Sequence, residues 1–177
     1  GICITGGEAT LNGIELINLV DKIREQMGEN FSIKLDTNGT NPKFLEKYLE
    51  KFDYIAMDFK TLYYEKYLNC SEQNILESLN VLKNGKTHYE IRITMYPSYI
   101  NEEDFVEIAE TLKGVKKVFI QQYKVVEGAS EKVYSRDVLE KFKKNIDYGI
   151  CIFKIRQLHF TRQVKKCRNK QNISLYD

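Results

Sequence analysis

Short apolar runs and longer stretches of helical spacing alternate along this chain. Strands are predicted at residues 2–5, 32–37, 54–60, 89–95, 117–123 and 150–155. Several runs are apolar over most of their length, the pattern of strands covered on both faces. Between them, apolar residues recur every three or four positions, as in a helix with one buried face. Ile14, Ile17, Val20, Ile23 and Met27 form one such set, and Phe44, Leu45, Tyr48 and Leu49 the next. Ile75, Leu76, Leu79 and Leu82 follow, then Phe105, Ile108, Ala109 and Leu112. Val138, Leu139, Phe142 and Ile146 close the series.

The punctuation agrees with these elements. Asn41-Pro42 supplies a cap and a first-turn proline. Asn101 followed by Asp104 has the spacing of a capping box. Ser71 and Ser135 are positioned as N-caps, and Gly28, Gly85 and Gly114 as helix stops. Repeated strand–helix units predict an α/β fold with a parallel sheet. Spacing alone does not separate a doubly wound sheet from a barrel, but both gather ligands beyond the carboxyl ends of the strands.

Composition narrows the class. With 177 residues, 42% hydrophobic and 29% charged, the chain is long enough for one domain with a sizeable core. A net charge of +2 gives no argument for nucleic acid. No stretch is apolar enough to span a bilayer. Of the four cysteines, Cys3, Cys70, Cys151 and Cys167, none forms a CxxC or sits near a histidine at zinc-ligand spacing. They read as free thiols of a reducing, cytoplasmic compartment, with Cys3 and Cys151 in the core. Gly1 opens directly on a strand-like run without a preceding Met, so it reads as a truncation point.

Charged residues interrupt the apolar runs at corresponding places. Glu8 follows the first strand, Asp36 ends the second, Asp58 and Lys60 end the third, and Arg92 lies within the fourth. A parallel sheet brings these positions to one mouth. Charges in such runs are costly unless they are paired or bind a ligand. One reading is therefore a self-contained Asp–Lys–Arg network, and the other a site for a zwitterionic ligand. Asp58 and Lys60, two apart, share a face, so they are expected to be coupled.

Three segments carry a resemblance. Gly6-Gly7-Glu8 resembles the Gly-Gly-Glu motif of radical S-adenosylmethionine (SAM) enzymes. Leu35-Asp36-Thr37-Asn38-Gly39 and Met57-Asp58-Phe59-Lys60 resemble motifs of the subgroup that activates glycyl-radical enzymes. Within it, the anaerobic ribonucleoside-triphosphate reductase activating proteins match best, with pyruvate formate-lyase activases close behind. Residues 89–94 and 119–123 look like further strands of the same subgroup, and the similarity runs over about residues 1–156. Ala9 stands where a proline is common.

The resemblance implies a partial (β/α)6 radical SAM barrel with parallel strands, its first βα unit missing from this chain. It implies a full-length parent that cleaves SAM reductively at a [4Fe–4S] cluster and installs a glycyl radical on a partner enzyme. Gly6, Gly7, Glu8, Asp36, Asp58, Lys60 and Arg92 then become SAM-binding residues, with Glu8 suited to the amine and Arg92 to the carboxylate. The CxxxCxxC loop that would hold the cluster is absent here, because the cysteines are far too widely spaced. No catalytic residue or metal ligand is therefore expected in this chain, and it is expected to be inactive alone. A non-catalytic remnant that binds a nucleotide-like ligand or a protein partner is the competing reading. A small-molecule radical SAM enzyme, such as a deazapurine synthase, is a third.

The remaining signals are plainer. Residues 157–177 form a basic tail, with Arg162, Lys165, Lys166, Arg168 and Lys170, set apart from the barrel domain of 1–156. His88 and His159 have no partner pattern and read as surface residues. The tyrosines read as scattered packing residues, with Tyr63, Tyr64 and Tyr67 on a connecting segment.

Overall fold

The computed structural model describes residues 1–123, 133–146 and 154–157. Cys151, His159, Cys167 and the tail beyond Gln157 lie outside the described residues. All six predicted strands have counterparts: β1 (Ile2–Ile4), β2 (Ile33–Thr37), β3 (Tyr54–Phe59), β4 (His88–Met95), β5 (Val118–Gln122) and β6 (Lys154–Gln157). The last was expected at 150–155, of which 150–153 are not described. All five strand pairings are parallel, and the sheet order is β1-β2-β3-β4-β5-β6. That order settles the architecture. A doubly wound sheet reverses direction at a switch point, whereas a sheet that winds one way is barrel-like.

Five predicted helices form: α1 (Gly13–Met27), α2 (Pro42–Tyr48), α4 (Glu72–Asn84), α5 (Phe105–Thr111) and α6 (Arg136–Ile146). A short α3 (Tyr64–Leu68) was not predicted, since five residues are too few to show a period. The caps work as their chemistry requires. Asn41 Oδ1 accepts from Phe44 N, Ser71 Oγ from Asn74 N and Ser135 Oγ from Val138 N. Asn101 and Asp104 complete a capping box.

Two expectations fail for one geometric reason. The strands were expected to be covered on both faces, but alternate residues go to different environments. In β2, Ile33, Leu35 and Thr37 are buried while Lys34 and Asp36 are only half-buried. Ile91, Ile93 and Met95 of β4 are buried while Arg92 and Thr94 are half-buried. The apolar positions join α1, α2, α4, α5 and α6 in one core. The other face collects the charges. Cys3, expected in the core, is exposed because β1 is an edge strand and Cys3 pairs in register with Lys34 on this charged face.

Candidate ligand-binding site

The Gly6-Gly7 loop leaves β1 with φ of 103° and 52°, conformations that L side chains rarely adopt. It delivers Glu8 into a junction rather than into open space. Glu8 Oε1 accepts from Thr10 N at 3.2 Å, Thr10 Oγ1 at 2.6 Å and Thr37 Oγ1 at 2.8 Å, and Oε2 accepts from Asn38 N at 2.6 Å. One carboxylate thus caps the 3-10 turn Ala9–Asn12 and ties it to the end of β2. Asn38 and Gly39 form a turn, as their types predict. Asn38 Oδ1 accepts from Thr40 N and Thr40 Oγ1, Gly39 has φ of 77°, and Ser78 on α4 donates to the Gly39 carbonyl at 2.7 Å.

Next to this junction the charged face is crossed by Arg92. Its Nε donates to Asp58 Oδ1 at 2.8 Å and its Nη1 to Asp36 Oδ2 at 3.0 Å. Asp58 is its register partner on β3, but Asp36 lies one strand further, on β2. The guanidinium reaches it because Ala56, the register partner of Asp36, has almost no side chain to obstruct the path. Lys34 Nζ lies 3.0 Å from Asp36 Oδ1, so each oxygen of this carboxylate faces a cation. Burial alone would push the Asp36 carboxyl up, but Lys34 and Arg92 together outweigh it and hold the carboxyl below its ordinary value. For Arg92, burial pulls down while Asp58 and Asp36 push up more strongly, so it stays charged.

Lys60 does not behave as expected. It was expected to couple to Asp58, but it forms no ion pair among the described residues, because Arg92 occupies that place. Its backbone N–H donates to Tyr64 Oη at 2.8 Å, which fixes the chain just past β3. Below Arg92 on the same face, Tyr54 donates to Glu90 at 2.7 Å and accepts from Lys117 at 2.7 Å. Sequence reasoning missed Lys34, Ala56 and this second cluster. Lys34 was legible as the same-face neighbour of Asp36. Ala56 was not, because its role is to be small.

The sequence resemblance implies two groups, a zwitterionic nucleoside and an iron–sulfur cluster, and this donor set suits only one of them. A zwitterionic nucleoside fits it. The face offers carboxylates, a charged guanidinium and, among the described residues, an ammonium at Lys60 that forms no ion pair. A [4Fe–4S] cluster does not fit, since it needs several thiolates. Among the described residues no group of three or more His, Cys, Asp or Glu could hold a metal, and the described cysteines are Cys3 and Cys70. His88 is exposed, as expected. A surface cleft of about 540 Å³ between α1 and the start of β3 is a poor competitor, because its Arg24 and Lys51 are already paired with Asp53 and Asp21. Among the described residues no helix is long and apolar enough to cross a membrane.

The chain matches no protein-family model. It is 33% identical over 132 residues to a proposed glycyl-radical enzyme activating enzyme of Methanocaldococcus jannaschii, a match covering 69% of this chain and 54% of the relative. The chain therefore spans about half the length of that relative. Among solved structures, a domain of a pyruvate-formate lyase-activating enzyme from Bacteroides vulgatus superposes with a TM-score of 0.69 at 16% identity, covering 87% of this chain and 98% of that one. A radical SAM methyltransferase from Sphaerobacter thermophilus superposes with a TM-score of 0.67 at 15% identity, covering 88% and 50%. The chain thus shares the fold of these two solved proteins, and over 132 residues its sequence is similar to a proposed glycyl-radical enzyme activating enzyme.

Proposed function

We propose that this chain is the SAM-binding core of a cytoplasmic glycyl-radical-enzyme activating protein, with residues 1–156 as the barrel and 157–177 as a basic extension. The observation that supports this reading is the Asp36–Arg92–Asp58 bridge on the charged face, with the Gly6-Gly7 loop following β1 and Lys60 one residue past β3 at the same end of the sheet. Lys60 takes the ligand carboxylate as the cation not consumed inside the protein. Asp36, held between Lys34 and Arg92, adds negative charge beside the ligand. Arg92 positions both carboxylates and adds positive charge beside the ligand. Glu8 acts through the loop: it ties the turn after Gly6 and Gly7 to the end of β2, and the positive φ values of the two glycines leave their backbone open to the ligand. SAM supplies the reactive adenosyl group in this family when a [4Fe–4S] cluster reduces it. The described residues do not provide the thiolates for that cluster, so the roles assigned here are confined to binding and positioning the ligand. The partner is a glycyl-radical enzyme, and the Leu-Asp-Thr-Asn-Gly and Met-Asp-Phe-Lys motifs favour an anaerobic ribonucleoside-triphosphate reductase.

A second reading takes the same charged face as a site that binds a nucleotide-like ligand without turnover. Titration calorimetry with SAM and with S-adenosylhomocysteine separates the readings. The activase reading expects SAM to bind, and Lys60→Ala to weaken it at least fivefold while leaving the denaturation midpoint unchanged. Absence of SAM binding, or equal affinity in Lys60→Ala, overturns it. Binding of ATP or adenosine in place of SAM supports the remnant.

A further inference from the structure

Two glutamines end β5, and the fold uses them differently. Gln122 pairs in register with the buried Met95, and its Nε2 donates to the Tyr134 carbonyl at 3.0 Å. Gln121 lies on the charged face. It pairs in register with Thr94, two residues beyond Arg92 on β4. Thr94 Oγ1 donates to Gln121 Oε1 at 3.3 Å, which fixes the way the carboxamide is turned. The NH2 group then points away from Thr94, and it donates to no other residue among those described. Both residues are only half-buried.

The surroundings suit a ligand. One level below, Arg92 pairs in register with the buried Phe119. One level above, the rings of Tyr96 and Tyr123 lie 4.5 Å apart between centroids, and Tyr99, Tyr67 and Tyr63 continue this aromatic wall. The mouth thus divides. Over β2 to β4 it presents the ion-paired Asp36, Asp58 and Arg92. Over β4 and β5 it presents an oriented carboxamide beneath tyrosine rings. Aromatic walls with a few fixed polar groups are the usual lining of a binding site. A glutamine kept for packing has its donors paired, as Gln122 does. Gln121 has its acceptor paired and its donors open.

We propose that Gln121, oriented by Thr94, is a substrate-positioning residue whose NH2 donates to a main-chain carbonyl of a glycine-bearing segment of the partner protein. A carboxamide suits a peptide carbonyl, because a neutral donor meets a neutral acceptor and no charge has to be desolvated. Glycine suits the tyrosine wall, because a main chain without a Cβ can lie close against the rings. The hydrogen bond sets the depth and rotation of the segment against the charged half of the mouth, as a reaction at one C–H bond requires. The choice of a glycine-bearing partner rests on the proposed function, whereas the hydrogen bond is tested without SAM.

The probe is N-acetyl-Ala-Gly-Ala-amide, compared with the same peptide carrying a thioamide at the glycine carbonyl, since sulfur is the weaker acceptor. Nuclear magnetic resonance of isotope-labelled glutamine side chains follows the titrations, with the Gln121 signals identified by their loss in Gln121→Met. The oxygen peptide is expected to shift the Gln121 NH2 pair saturably, and the thioamide to bind at least threefold more weakly. Gln121→Met keeps the side-chain length and removes the donors. Followed by its backbone amide signals, it is expected to bind the oxygen peptide at least fivefold more weakly and to bind both peptides equally. Thr94→Val is expected to weaken binding at least threefold, and Thr94→Ser, which keeps the hydroxyl, to restore it. Absence of a saturable Gln121 shift overturns the proposal. So does a thioamide effect of equal size in the native chain and Gln121→Met, or a Thr94→Ser that binds no better than Thr94→Val. A shift with inorganic phosphate but not with the peptide marks an anion site and also overturns it. Calorimetry is expected to give equal SAM affinity in the native chain and Gln121→Met, and a fivefold loss of SAM affinity with unchanged peptide binding overturns the assignment. If SAM does not bind at all, the SAM-binding reading fails while the peptide titrations still decide this one.

Discussion

Replacing Arg92 with methionine tests the central arrangement most directly. Methionine keeps much of the aliphatic volume and removes the guanidinium that Asp36 and Asp58 share. The side chains are 16% exposed for Arg92, 19% for Asp36 and 31% for Asp58. An exposed pair contributes about 0–1 kcal/mol, and breaking a buried one costs about 3–5 kcal/mol, so this partly screened site should lose about 2–3 kcal/mol. Urea denaturation followed by far-UV circular dichroism measures it. A double-mutant cycle with Asp58→Asn should return a coupling of about 1–2 kcal/mol. The pH dependence has a definite sign. Asp36 is held below its ordinary value in the folded chain, so its contribution is present above about pH 4 and is lost as pH falls through the folded value. Removing Arg92 takes away one of the two cations that hold it down. The stability gap between the native chain and Arg92→Met should therefore narrow between pH 5 and pH 3. A gap below 1 kcal/mol at pH 7 that stays constant to pH 3 would mean that the bridge is solvated and contributes nothing.

Other residues make separate predictions. Glu8→Ala removes the acceptor for four donors and should destabilise by about 2–3 kcal/mol, since bonds to a charged group contribute about 1.5–3 kcal/mol; a thermal midpoint within 2 °C of the native one would contradict the clamp. Gly39→Ala places a Cβ against Met57 at a φ of 77°, and left-handed strain alone costs about 1–2 kcal/mol. Met57→Ala in the same chain should recover the steric part, which urea midpoints will show. Ala56→Leu should obstruct the path from Arg92 to Asp36, lowering both the urea midpoint and the affinity for SAM; unchanged values in both would refute that path. Anaerobic incubation of this chain with iron and sulfide should leave no stoichiometric cluster after desalting, as read by absorption and iron content.

The strand and helix order was legible because it depends on local rules. Periodicity marks Ile33 and Leu35 or Ile75 and Leu79 as apolar positions, and capping chemistry at Asn41, Ser71 and Asn101 acts within one turn. The charged site was legible in part. Asp36, Asp58 and Arg92 stand out because charges inside apolar runs need partners. Which partner each takes was not legible. Asp58 pairs with Arg92 rather than Lys60, because register brings Asp58 and Arg92 side by side across the sheet while Lys60 lies one residue beyond β3. Helical spacing likewise nominated Ile14 and Met27, yet both are exposed, and Leu16 is buried instead. Periodicity gives the angle between residues on a helix but not which face meets the sheet. The tyrosines show the limit most clearly. Tyr63, Tyr67, Tyr96, Tyr99 and Tyr123 sit on three separate connections, and nothing local joins them. They meet because parallel strands send every such connection to the same end of the sheet. Local spacing determined the elements of this protein; parallel register and the winding of the sheet decided which side chains face one another.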